Sequence, residues 1–126
     1  MNKNLALLVL SWQVACLFHN KENESLLPGS SSATQAESDE LDKIHDELTP
    51  EVSWDEFNKV YGGFSSAKAR TEACVKALIG EGVEFKRSVL NAMIRVAEAS
   101  TEDGNESAVS PEEKAFIAQV KDALGV

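Results

Sequence analysis

The sequence predicts an all-α protein, a single compact bundle of about six helices, from three observations. Apolar residues recur every three or four positions in six segments, which is the spacing of one helix face. No segment alternates apolar and polar residues for long enough to form a strand. A Ser or Thr with a Glu three residues later, typical of a helix-capping box, precedes three of the segments. The 126 residues, 43% of them apolar, suit one soluble domain.

The first predicted helix, at about 4–18, is apolar on all sides and has two interpretations. A helix without a polar face is buried when other helices surround it. The same segment, behind a single Lys3, resembles the apolar region of a secretory signal, and Gln13-Val-Ala-Cys16 resembles a lipoprotein cleavage box. It is shorter than the roughly 20 residues that cross a bilayer. Any membrane association would therefore involve residues 4–18 alone.

The other five helices are predicted at about 34–48, 53–61, 66–79, 83–99 and 110–124. Thr34, Ser53 and Ser110 begin the three capping boxes, and Gly80 and Gly125 follow apolar runs as C-terminal glycines do. The fifth helix carries apolar residues on two faces, so we expect it to be central. Residues 19–33, which include Pro-Gly-Ser-Ser-Ser, are predicted to be a flexible acidic loop within the single domain 1–126.

The formal net charge of −9 argues against a general nucleic-acid binder, because affinity for phosphate rests on Lys and Arg. Residues 57–97 are the exception, with seven basic and three acidic side chains. Solvated helix faces of different sign would explain this distribution. The alternative is a surface for a protein partner on helices four and five, made by Lys68, Arg70, Lys76, Lys86, Arg87 and Arg95.

Side chains suited to catalysis are few. The chain has two cysteines and two histidines, and no Gly-rich loop precedes a basic residue as phosphate binding would need. Cys74 lies among Ala73, Val75 and Ala77 and is expected to be a small core residue rather than a nucleophile. His45 is expected on a solvated helix face. We therefore expect no enzyme activity.

Two parts of the chain resemble each other. At an offset of 82 residues, six residues of the segment 8–25 recur in 90–107. At an offset of 76, the capping box at Thr34 coincides with the one at Ser110, and Glu37 coincides with Glu113. This predicts a duplicated unit of helix, acidic loop and capped helix, in which the first helix is the counterpart of the fifth.

The second unit carries a recognisable order of motifs over residues 83–126. An apolar helix ends in Val-Ala-Glu-Ala99, Asp103-Gly104 follows, Val109-Ser-Pro-Glu-Glu113 begins the next helix, and that helix closes on Leu124-Gly. This order resembles the TerB-like (tellurite-resistance protein B) family. The resemblance implies an all-helical fold of two halves and a non-enzymatic binding or scaffolding role in a tellurite-type stress response.

The same resemblance implies candidate metal ligands, because acidic residues of the family's loops are associated with divalent metal binding. They are Asp103 and Glu113 in the second half, with Glu37 as the counterpart in the first. Carboxylate oxygens are the ligands that Ca²⁺ prefers, so Ca²⁺ or another divalent cation is the expected cofactor. The alternative is structural: Asp103-Gly104 makes a turn and Glu113 caps a helix.

Two functions from different classes follow. The first is a cytoplasmic TerB-like module that acts by binding a protein partner and, at its acidic loops, a divalent cation. The second is an exported acidic protein, periplasmic or lipid-anchored through a signal in residues 1–16, that binds or neutralises a basic partner in the way of an immunity protein. The two functions differ in whether the first helix is retained or cleaved in the cell.

Overall fold

The structure, a computed structural model, describes residues 1–19, 35–99 and 111–126, with the side chains of 16–19, 35 and 36 excepted. This part of the chain forms six α-helices and no strand, which confirms the predicted all-α class. Each observed helix end lies within one residue of the predicted end. The helices are α1 (Lys3–His19), α2 (Gln35–Leu48), α3 (Trp54–Tyr61), α4 (Ala67–Leu78), α5 (Val83–Ala99) and α6 (Pro111–Leu124).

Helix α1 lies at the centre of the bundle. Every residue from Leu5 to Ala15 is at most 2% exposed. The helix packs against all five of the others, most extensively against α5 and α4. Asn2 begins it, since its Oδ1 accepts the Leu5 N–H at 2.8 Å. A helix that is apolar on all sides thus has neighbours on all sides.

The contacts among four helices follow a two-half pattern. Helices α1 and α5 have 17 residues each and pack together, while α2 and α6 have 14 residues each. Helix α2 contacts both α1 and α5, and α6 contacts the same two helices. The fifth helix is therefore central, as expected, and the arrangement agrees with a duplicated unit. One pair of equivalent residues differs between the halves: Leu48 is 42% exposed, whereas its counterpart Leu124 is 2% exposed.

Side-chain caps begin α3 and α4. The Ser53 hydroxyl accepts the Glu56 N–H at 3.0 Å, which confirms the predicted cap. The Ser66 hydroxyl accepts the Ala69 N–H at 3.1 Å, a cap that no Ser-x-x-Glu pattern indicated. The predicted caps Thr34 and Ser110, and the predicted loop 19–33 apart from His19, lie outside the described residues.

Two glycines occupy positions at which any other residue would be strained or crowded. Gly125 has φ +76° and ends α6 in a Schellman motif, with the Val126 and Gly125 N–H groups reaching the carbonyls of Lys121 and Asp122. A Cβ at Gly63, just after α3, would lie 2.9 Å from the Lys59 carbonyl oxygen. The chain turns tightly there from α3 towards α4.

His45 joins α2 to α3, and the expectation of a solvated face was wrong. Its side chain is only 12% exposed, and its Nε2 lies 2.7 Å from the Val52 carbonyl oxygen, to which it donates. Its ring lies 4.5 Å from that of Trp54. The short connection from α2 to α3 folds back over the end of α2, so the imidazole is covered by residues that follow it in sequence.

Two alanine substitutions test this account of the glycines. Gly80→Ala meets no atom within 4 Å and needs no left-handed backbone, so it should raise the free energy of unfolding by about 0.4–1 kcal/mol through the entropy of the unfolded chain. Gly63→Ala should lower it, because the added methyl group contacts backbone. Urea denaturation of both variants measures the change in the free energy of unfolding. A more stable Gly63→Ala variant would contradict the close contact of residue 63 with the Lys59 carbonyl.

Candidate functional site

Arg70, predicted on a partner surface, is instead buried. It is 1% exposed, on the side of α4 that faces α1. Its Nε donates to the Tyr61 carbonyl oxygen at 2.9 Å, and its guanidinium carbon lies 4.0 Å from the centre of the Tyr61 ring. Arg70 therefore belongs to the core, and the sequence misplaced it because its partners lie on other helices.

Gln13 of α1 completes the environment of Arg70. Its Oε1 accepts from Arg70 Nη1 at 3.1 Å, and its Nε2 donates to the Thr71 hydroxyl at 2.6 Å. The Thr71 hydroxyl in turn donates to the Ala67 carbonyl at 2.9 Å. Gln13 is 2% exposed, and Thr71 is 7% exposed. Gln13, the first residue of the apparent lipoprotein box, is thus the hydrogen-bonding partner of a buried arginine.

Arg95 is engaged within the bundle. Its Nη2 lies 2.7 Å from Glu40 and 3.0 Å from Glu47, both on α2. The hydrogen bonds that Arg95 donates to Glu47 and to Glu40 raise its pKa, whereas desolvation by burial lowers it. These contacts join α5 to α2, and the positive charge of Arg95 is balanced by the two carboxylates of α2.

The remaining four cations lie on two separate helices. Lys68, Lys76 and Arg87 are exposed, and Lys86 is partly buried. The two helices that carry them both pack extensively on α1. The six predicted residues therefore do not form one continuous basic surface, and a partner contact by the four stays a prediction.

The two glutamates of the predicted metal sites, Glu37 and Glu113, share a distinctive placement, and we call them the paired glutamates. Glu37 is 0% exposed and Glu113 is 3% exposed. Each lies in the first turn of its helix, α2 or α6, where the helix dipole favours a negative charge. Burial of a carboxylate is costly unless other groups compensate it, so both positions are specialised rather than solvated.

Asp103, the third predicted ligand, lies outside the described residues. Among the residues that the structure describes, no three His, Cys, Asp or Glu side chains are grouped so that they could hold a metal ion. The segment that precedes Glu113 in the sequence contains Glu102, Asp103 and Glu106.

A groove between α4 and α6 is the feature that sequence reasoning missed. Its volume is about 350 Å³. Its lining is mostly apolar, with charged groups at the α4 edge: Thr71, Glu72, Val75, Lys76, Ile79, Gln119, Val120 and Ala123. The available signal was that α4 carries apolar residues on two faces, Cys74 and Leu78 inward and Val75 and Ile79 beside them. We call this feature the α4–α6 groove.

Cys74 is poorly suited to nucleophilic chemistry. It is 0% exposed, as expected of a core residue, and its Sγ lies 3.7 Å from the Met1 sulfur. Burial raises its pKa to about 12, although the charges of Arg70 and the N-terminus act in the opposite direction. Because the thiolate is the nucleophile, a thiol of this pKa is unreactive near neutral pH.

Comparison with known proteins finds no match among family models, curated proteins or solved structures. The TerB-like resemblance therefore stays a prediction from the motifs of residues 83–126. Within residues 1–19, 35–99 and 111–126, no helix has the length and apolar character needed to cross a membrane.

The buried hydrogen bonds predict a measurable coupling. Gln13→Leu removes an acceptor from Arg70 and a donor from Thr71, and should lower the free energy of unfolding by about 1–3 kcal/mol. Combining it with Arg70→Leu should cost less than the sum of the two single changes, because no buried guanidinium is then left without its acceptor. Urea denaturation of the three variants measures the coupling, and strict additivity would contradict it.

Proposed function

We propose that the protein is a non-enzymatic binding module of two similar halves, of the TerB-like type, that binds a divalent cation and a protein partner. The observation that carries this proposal is the placement of the paired glutamates. Both are buried in the first turns of equivalent helices, and both helices contact the central α1–α5 pair. A solvated charged face does not require such burial, and the burial supports a role in which each carboxylate is held at a set position to bind a ligand.

The chemistry of the second half suits a hard cation. Residues 98–126 contain seven acidic and two basic side chains. Glu113 would supply one carboxylate from the rigid start of α6, and Asp103 would supply another from the segment before it. Calcium binds six to eight oxygens from carboxylates, carbonyls and water, which a loop followed by a helix can provide. Glu37 is the corresponding carboxylate of the first half.

Cation binding would also favour association with a protein. The chain has a formal net charge of −9, which opposes close contact with another acidic surface. A bound divalent cation lowers this charge where the acidic segments join α2 and α6. The resemblance to the TerB-like family supports such a binding role and places it in a stress response.

Calcium titration tests the metal part of the proposal. At about 100 times its dissociation constant, Ca²⁺ should add about 2.7 kcal/mol to the free energy of unfolding. That increment corresponds to a rise in Tm of roughly 10 °C for a domain of this size. Isothermal calorimetry should show heat of binding in the wild-type protein and a loss of it in Asp103→Asn and Glu113→Gln.

A matched control separates this site from general screening of charge. Glu84→Gln removes one exposed carboxylate from the first turn of α5 and should leave the calcium affinity unchanged. Absence of both heat and a Tm change at millimolar calcium would count against the metal role. An equal loss of affinity in Glu84→Gln and Glu113→Gln would assign the effect to net charge alone.

We propose a cytoplasmic location for the intact chain, because α1 supplies the centre of the bundle. Cleavage after residues 15–20 would remove the buried segment Leu5–Ala15 from between α4 and α5. The exported alternative requires that loss, or a lipid on Cys16. A bundle without α1 would expose the apolar faces that now pack on it.

The intact mass of the natively expressed protein, measured after cell fractionation, decides between these locations. We expect a full-length species in the cytosolic fraction. A species shorter by about 15 to 20 N-terminal residues, or one with a lipid mass on Cys16, would instead establish the exported or anchored protein.

A further inference from the structure

One face of α4 is exposed although much of it is apolar. Glu72, Val75, Lys76 and Ile79 are spaced so that they form a single stripe along the helix, and all four line the α4–α6 groove. Ile79 is 55% exposed, more than any other large hydrophobic residue of the described chain. An apolar stripe with charged flanks is typical of a helix that another helix covers.

The two charged residues of this stripe have no ionic partner among the described residues. Glu72 and Lys76 lie one helical turn apart, and neither is within 4.0 Å of an oppositely charged group in the part of the chain that the structure describes. Both are exposed. One anion and one cation are thus presented side by side, and no ion pair within residues 1–19, 35–99 and 111–126 involves either of them.

This pair is complementary to itself. When two copies of a helix lie antiparallel about a two-fold axis level with Cys74, Glu72 of each copy faces Lys76 of the other. One such arrangement forms two equivalent ion pairs, as an isologous interface requires. The same register brings Ile79 of each copy over the Ala69–Thr71 end of the partner's α4, where the groove begins.

We propose that the occupant of the α4–α6 groove is a second copy of this chain, bound through antiparallel α4 helices. The charge of the whole chain selects this face over others. Two copies with a net charge of −9 repel each other, and residues 57–97 carry the largest excess of basic over acidic side chains, seven against three.

Sedimentation velocity on the metal-free protein tests the dimer independently of any cation. The wild-type protein should show a monomer–dimer equilibrium between about 1 μM and 1 mM. Glu72→Lys and Lys76→Glu each replace two attractive contacts by two repulsive ones, so each should weaken the dimer by about tenfold or more. The double exchange E72K/K76E should restore it, because the facing charges are again opposite.

Mixing the two single variants gives the sharpest result. A chain with two lysines should pair with a chain with two glutamates, so native mass spectrometry with one variant isotopically labelled should show a heterodimer stronger than either homodimer. Ile79→Asp should abolish the wild-type dimer. Val83→Asp is its matched control, since Val83 is 51% exposed but lies outside the groove.

Three outcomes would overturn the proposal. A wild-type monomer at every concentration would leave the groove to a different protein. A double exchange or a mixture that fails to restore the dimer would exclude the facing of Glu72 and Lys76. An equal loss of dimer in Val83→Asp and Ile79→Asp would place the interface elsewhere. Far-ultraviolet circular dichroism of each variant verifies that these exposed substitutions leave the helices intact.

Discussion

A helix without a polar face is stable in water only when other helices cover it on every side, and α1 imposes this condition on the bundle. From Leu5 to Ala15 it has no residue more than 2% exposed. Burial of a single leucine contributes about 1.5–3 kcal/mol, so the four buried leucines of α1 together contribute roughly 6–12 kcal/mol. The positions of α4, α5 and α6 follow from the need to cover this one helix.

Apolar burial alone does not specify how α1 is rotated about its axis, since all its sides are alike. Gln13 supplies that specification, because only one rotation allows its amide to reach both Arg70 and Thr71. The buried arginine also holds the Tyr61 carbonyl, and so links α1, α4 and the end of α3. A small polar network thus gives a uniform helix a defined orientation, a use of buried polar groups known from other helical assemblies.

The helix boundaries were readable from the sequence because their causes are local. Ser53, Pro111 and Gly125 each mark a helix end through contacts within one turn, and the spacing of apolar residues indicates the extent of each helix.

Long-range contacts could not be predicted from the sequence. Arg70 was expected on the surface and His45 on a solvated face, because their partners lie on other elements or beyond a turn. Glu113 was identified through the TerB-like resemblance and Glu37 as its counterpart in the internal comparison, but their burial appears only when α2 and α6 are packed. The α4–α6 groove is formed by residues of both helices, so it could not be predicted from the sequence of either helix alone.

The central pairing of α1 with α5 has a consequence for synthesis of the chain. The end of α5 is translated 80 residues after the end of α1, which takes about 4 to 16 s at the usual rates of roughly 5–20 residues per second. During that interval the most apolar of the described helices is synthesised without the helix that packs most extensively against it. Nascent α1 therefore has apolar surface exposed to water, and slow decoding between α1 and α5 would lengthen that exposure.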